Sequence, residues 1–156
     1  FFCFLGIKSK IIRVTHWQEA ENKTQLNKKE GLIKMKAVMI VGHGSRSLKS
    51  QEEFKKIIDV MKEKLAHTKV YGTNMELAEP LMEDTIDEIV KENSGISEII
   101  VVPFFLFEGM HIRKDIPEKL DEFREKYPDI KITFGRPLGA DPMIAEVLTA
   151  RVNEML

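Results

Sequence analysis

From residue 35 onward, short unbroken apolar runs alternate with longer stretches in which apolar residues recur every three or four positions. The runs are KAVMIVGH (36–43), KVYGTNMEL (69–77), SEIIVVPFF (97–105) and DIKITFG (129–135). Near-continuous apolar runs of this length predict strands buried on both faces. A helical stripe follows each: Phe54, Ile57, Ile58, Met61 and Leu65; then Met82, Ile86, Ile89 and Val90; then Ile116, Leu120, Phe123 and Tyr127; and last Ile144, Val147, Leu148 and Val152. Four such units predict an α/β fold, an open parallel four-stranded sheet with helices on both faces in a flavodoxin-like three-layer arrangement. The stripes, several Met included, are expected to be core.

The 156 residues are 43% hydrophobic and 31% charged, which suits one soluble domain with an adequate core. Cys3 is the only cysteine, so no intrachain disulfide or multi-cysteine zinc site is possible, and the cytoplasm is the expected compartment. A formal net charge of −1 offers no global attraction for nucleic acid or an anionic membrane, and neither is expected as a partner. The charge is uneven, however: residues 1–34 hold seven Lys and Arg against three Asp and Glu, and residues 35–156 hold seventeen against twenty-two. The apolar runs of the first segment are too short to span a bilayer, and no charged region precedes an apolar core as in a signal peptide. Residues 1–34 are therefore expected to be a poorly ordered extension of a single domain over 35–156.

Ligands of open parallel sheets bind beyond the carboxyl ends of the strands, so the residues there matter most. The four ends offer GHGSRS with His43, Ser45 and Arg46, then MELAEP with Glu76 and Glu79, then FEGMHIRKD with Glu108, His111, Arg113 and Lys114, and GRPLGADP with Arg136. Taken singly, each has a plain structural reading. GHGS is equally a tight connection capped by Ser45 or Ser47, or a backbone cradle for phosphate. His111 fits a loop, and Glu76 and Glu79 fit a solvated approach to Pro80. Together at one edge they define a chemistry: neutral imidazole accepts cobalt, nickel, iron or zinc, and carboxylates add oxygen ligands or take protons. No single loop carries enough ligands for a closed structural site, so a metal would be held openly. The cations at the rim suit a polyanionic organic partner.

VGHGSRS, MELAEP, VVPFFLFEGMHIRKDIP and GRPLGADP, in this order, resemble the motifs of the small archaeal sirohydrochlorin chelatases, the short form of the cobaltochelatase family. The resemblance covers 35–156 and not the first 34 residues. It implies a chelatase fold, pairing of two copies into a homodimer, and insertion of cobalt into sirohydrochlorin for cobalamin synthesis. In methanogens it implies nickel as well, on the route to the nickel coenzyme of methanogenesis. Co2+ or Ni2+ enters as metal substrate, with no tightly bound cofactor. Motif by motif, His43 is implied to be metal ligand and proton acceptor and His111 the second metal ligand. Glu79 matches a substrate-contacting position, and Leu106, Phe107, Glu108, Gly109, Met110 and His111 match the loop that wraps the macrocycle. The chain departs from some relatives in carrying Glu108 where they have histidine.

These residue types suit metal insertion, because two pyrrole protons must leave as a divalent ion enters, and a base near its operating pH removes them best. Phe104, Phe105, Phe107 and Met110 offer apolar surface to a flat ring. A sirohaem-forming iron chelatase, a non-catalytic metal carrier and a phosphate-binding module are the rival readings.

Overall fold

The computed structural model describes residues 35–156; the extension expected over residues 1–34 lies outside the described residues. Strand β1 (Met35–Gly42) lies between β2 (Lys69–Asn74) and β3 (Ile96–Pro103), and β4 (Lys131–Phe134) extends the sheet beyond β3. All pairings are parallel. The order β2–β1–β3–β4 turns back at β1, which makes the space beyond β1 and β3 the point where such sheets bind ligands.

Alternation along β1 sorts its side chains to two faces. Ala37, Met39 and Val41, with Ile99 and Val101 of β3, face α2 (Met82–Glu92) and α3 (Ile116–Lys126), whose Met82, Ile86, Ile89, Ile116, Leu120 and Phe123 complete the larger core. Val38 and Ile40, with Val70 of β2, face α1 (Leu48–Lys64) through Ile58, and Phe54 and Met61 close the margin. Both faces are thus covered, as the four apolar runs predict. Each fully buried Leu or Ile contributes about 1.5–3 kcal/mol relative to exposure.

Two expectations about the stripes fail. Ile57 and Leu65 of the first are 37% and 39% exposed, because α1 meets the sheet along Phe54, Ile58 and Met61 alone. The last helix, α4 (Pro142–Asn153), buries none of its residues: Val147, Leu148 and Val152 are 55%, 62% and 55% exposed. Helical spacing records which residues share a face, and no described element covers this one.

Opposite the strand ends that carry the histidines, a charge ladder crosses the sheet. Register sets Glu98 of β3 between Lys36 of β1 and Lys131 of β4. Its carboxylate accepts from Lys36 Nζ at 2.7 Å, Lys131 Nζ at 3.0 Å and Thr133 Oγ1 at 2.9 Å. Lys36 above all, then Lys131 and Thr133, hold its pKa down to about 2 from an ordinary 4.5. A depressed carboxylate pKa stabilises the fold above the ordinary value, and that contribution disappears as pH falls from 4.5 toward about 2. Glu98→Gln is expected to flatten the loss of stability over this window in denaturant titrations; identical slopes in the two proteins would refute the assignment.

Candidate metal centre

The pairing of β1 with β2 continues past the named strands and thereby positions the first histidine. Beyond the register pair Gly42–Asn74, Met75 N–H donates to the Gly42 carbonyl at 2.9 Å and Glu76 N–H to the His43 carbonyl at 3.2 Å. The two loops touch at Gly44, whose φ is +97°; a Cβ there would stand 1.7 Å from the Glu76 carbonyl oxygen. Only glycine allows that approach. Leu77 follows with φ 67° inside a γ-turn closed by Ala78 N–H to the Glu76 carbonyl, a conformation that costs a non-glycine residue about 1–3 kcal/mol. The result sets Glu76 Oε1 3.5 Å from His43 Nε2. Ser47 is the helix cap of this turn, accepting from Ser50 N–H, while Ser45 Oγ accepts from Ser47 N–H.

The second histidine arrives from β3. Phe104 N–H donates to the Val41 carbonyl, and the loop after β4 clasps the next two residues through Leu138 N–H to the Phe105 carbonyl and Gly139 N–H to the Leu106 carbonyl. His111 then opens a single π-helical turn, His111–Asp115, that leads directly into α3. Such turns are rare and often mark functional positions. The His111 ring meets His43 edge-on at 5.0 Å between centroids, with Phe105 behind both at 6.4 and 6.2 Å.

Among the described residues, His43, Glu76 and His111 each offer one ligand atom, and these atoms all lie within 4.8 Å of one another. Their side chains are 45%, 52% and 38% exposed. Two nitrogen donors and one oxygen donor in such an open setting can hold a borderline divalent ion and leave coordination positions free.

The structure brings His43 and His111 together and distributes the other named residues around them. Glu76 joins the imidazoles, whereas Glu79 turns back to accept from Leu81 N–H at 3.1 Å and lines a separate groove of about 420 Å³ against α1. That groove contains neither imidazole; a smaller cavity of about 210 Å³ lies against His43, bounded by Phe54, Asn74 and Phe104. The strand-end reading offers both glutamates and the resemblance singles out Glu79, whereas the β1–β2 register brings Glu76 to the imidazoles. Leu106, Phe107 and Met110 are 49%, 69% and 70% exposed beside the cluster, an apolar loop of the kind that meets a ligand or partner. Glu108 stands 3.6 Å from Arg113, and Gly109 has open space where a side chain would be. Arg46 and Arg136 are exposed at the rim. No described helix is long and apolar enough to cross a membrane.

Fold and cluster together describe an α/β protein with groups able to hold a metal gathered at the switch point of its sheet. The chain belongs to the CbiX family, whose model matches residues 37–155. It is 37% identical over 144 residues to the sirohydrochlorin cobaltochelatase of Methanopyrus kandleri, covering 78% of this chain and 98% of that protein. To the sirohydrochlorin ferrochelatase of Bacillus subtilis it is 31% identical over 119 residues, covering 76% of this chain and 45% of that protein. Among solved structures, the sirohydrochlorin chelatase SirB of Bacillus subtilis subspecies spizizenii in complex with cobalt superposes with a TM-score of 0.72 at 31% identity, covering 77% of this chain and 50% of that chain. The chain thus spans nearly all of the archaeal relative and about half of each Bacillus chelatase.

Gly44→Ala is expected to destabilise the protein by more than about 1 kcal/mol, from the positive φ and the clash together, and to weaken cobalt binding by separating His43 from Glu76. Gly109→Ala, with open space around it, is expected to stay within about 0.5 kcal/mol of wild type. Denaturant unfolding and a cobalt titration check both; equal stability of the two variants would remove Gly44 from its role.

Proposed function

We propose that this protein is a cytoplasmic sirohydrochlorin chelatase that inserts Co2+ into its macrocycle. The observation that carries the reading is the open His43–Glu76–His111 cluster beside the apolar loop 104–110, in a chain matched over nearly the full length of an archaeal cobaltochelatase. The chemistry is assigned wholly to residues 35–156, where the family match and every named site residue lie.

In this reading His43 and His111 hold the incoming ion, with Glu76 as an oxygen donor or as acceptor of a proton from His43 across their 3.5 Å separation. As the ion passes to the ring, each of two pyrrole N–H bonds breaks, its electron pair becomes a metal–nitrogen bond, and the proton leaves through imidazole to water. Half-exposed ligands favour this stepwise exchange, because a closed cage would retain the ion. Leu106, Phe107, Gly109 and Met110 supply apolar contact with the ring. Glu108 and Glu79 mark its polar margins, and Arg46 and Arg136 pair with its carboxylates. Iron is the second reading, favoured by the similarity to the Bacillus ferrochelatase. Nickel belongs in the same comparison because imidazole also accepts it, and it would direct the product to the nickel coenzyme of methanogenesis rather than to cobalamin.

The active unit in this proposal is a homodimer. A cavity of about 210 Å³ on one chain is small beside the roughly 300–1,000 Å³ typical of small-molecule sites, and a tetrapyrrole needs walls on both faces. The exposed apolar face of α4 gives a second copy something to cover.

Mixing the protein with sirohydrochlorin and Co2+, Ni2+ or Fe2+ in parallel is expected to give many turnovers to a metallated spectrum, fastest with Co2+; at most one equivalent converted would indicate a carrier. His43→Ala is expected to lower the rate by about 100-fold or more while leaving the fold intact, and a near-normal rate would take His43 out of the mechanism. Sedimentation velocity is expected to show a dimer at micromolar concentration that Leu148→Asp and Val152→Asp together convert to an inactive monomer. An active wild-type monomer across the assay range would sink the dimer proposal.

A further inference from the structure

We propose that Asp115 is a positioning residue for His111, fixing its tautomer and ring orientation so that Nε2 is the nitrogen offered to the ion; this rests on the reading of His111 as a metal ligand. Asp115 Oδ2 stands 2.7 Å from His111 Nδ1, the shortest approach either imidazole of the cluster makes to a carboxylate. A carboxylate only accepts hydrogen bonds, so the nitrogen facing it carries the proton. A neutral imidazole has one such nitrogen, and the other then keeps its lone pair for a metal.

The backbone is built to hold the pair. His111 and Asp115 are the first and last residues of the π turn, closed by Ile116 N–H to the His111 carbonyl. Ile112 within the turn and Ile116 just after it are 7% and 0% exposed in the core beneath. The two buried isoleucines clamp the turn while His111 and Asp115, at the four-residue interval that shares a helical face, point out together. The Phe105 ring lies nearby, 6.4 Å from the imidazole between centroids. Asp115 faces His111 from its own turn, whereas His43 and Glu76 approach from the other two strand ends, so the imidazole is gripped at one nitrogen and open at the other. Partners of this kind are worth about 10–100-fold in metal affinity or activity when removed.

Long-range 15N–1H NMR on the metal-free full-length chain at mildly alkaline pH tests this directly, with the His111 signals assigned by their absence in His111→Ala. Wild type and Asp115→Asn, whose amide oxygen still accepts, are expected to show His111 protonated at Nδ1, and Asp115→Ala is expected to lose that preference. Cobalt titrations followed by d–d absorption are expected to weaken about 10–100-fold for Asp115→Ala and to stay within about threefold of wild type for Asp115→Asn. An Nε2-protonated His111 in wild type, or an unchanged tautomer in folded Asp115→Ala, would overturn the proposal. So would an unchanged cobalt affinity in Asp115→Ala when His111→Ala abolishes binding. If the tautomer shifts as expected but His111→Ala itself binds cobalt like wild type, the positioning of His111 by Asp115 stands, and the assignment of His111 as a metal ligand fails.

Discussion

Everything at the candidate site depends on β1 having a parallel partner on each side. Because β2 and β3 run with β1, all three strands end at the same edge, and the residues that follow them have nowhere to go but past one another. An antiparallel neighbour would have sent Glu76 or His111 to the far end of the sheet. The register then decides which residues meet, and hydrogen bonds from Met75 and Glu76 to the carbonyls of Gly42 and His43 extend it two residues beyond the ladder. The burial of β1 from Ala37 to Gly42 makes that register costly to shift, since a one-residue slip would exchange the two faces of the core.

The two ends of the sheet are built to different standards. Where the strands begin, Glu98 has three partners and its charge is fully answered. Where they end, the chain accepts a left-handed leucine, a π turn, an exposed aromatic loop and two histidines within 5.0 Å of each other between ring centroids. Such local expense is tolerated because the core beneath, from Met39 to Phe123, supports it.

Much of the fold was legible in the sequence, for a physical reason: strands buried on both faces must be apolar throughout, and crossover helices must carry a stripe. The carboxyl edge followed from topology, and with it both histidines. What one sequence does not hold is the pairing register, so Glu79 was singled out by its motif while Glu76, three residues earlier, went without a role until the register set it against His43. Nor does a stripe say what lies opposite it. Ile57 and Leu65 sit at the edge of a helix that touches the sheet on a narrower line, and α4 carries apolar residues that no described element covers. Asp115 passed unnoticed because an aspartate in a charged segment has no signature until the turn places it against Nδ1.

If the His–Glu–His cluster holds the incoming ion as proposed, its openness also bears on which ion it takes. Two imidazoles and a carboxylate, half in water and with coordination positions left over, do not form a closed shell, and the affinities of such donors for divalent ions follow the general Irving–Williams ascent toward copper. Equilibrium capture at this edge would therefore favour copper over cobalt, nickel or iron. Fidelity must reside elsewhere, in which free ions are supplied to the protein and in how fast each exchanges its water and imidazole ligands for pyrrole nitrogens.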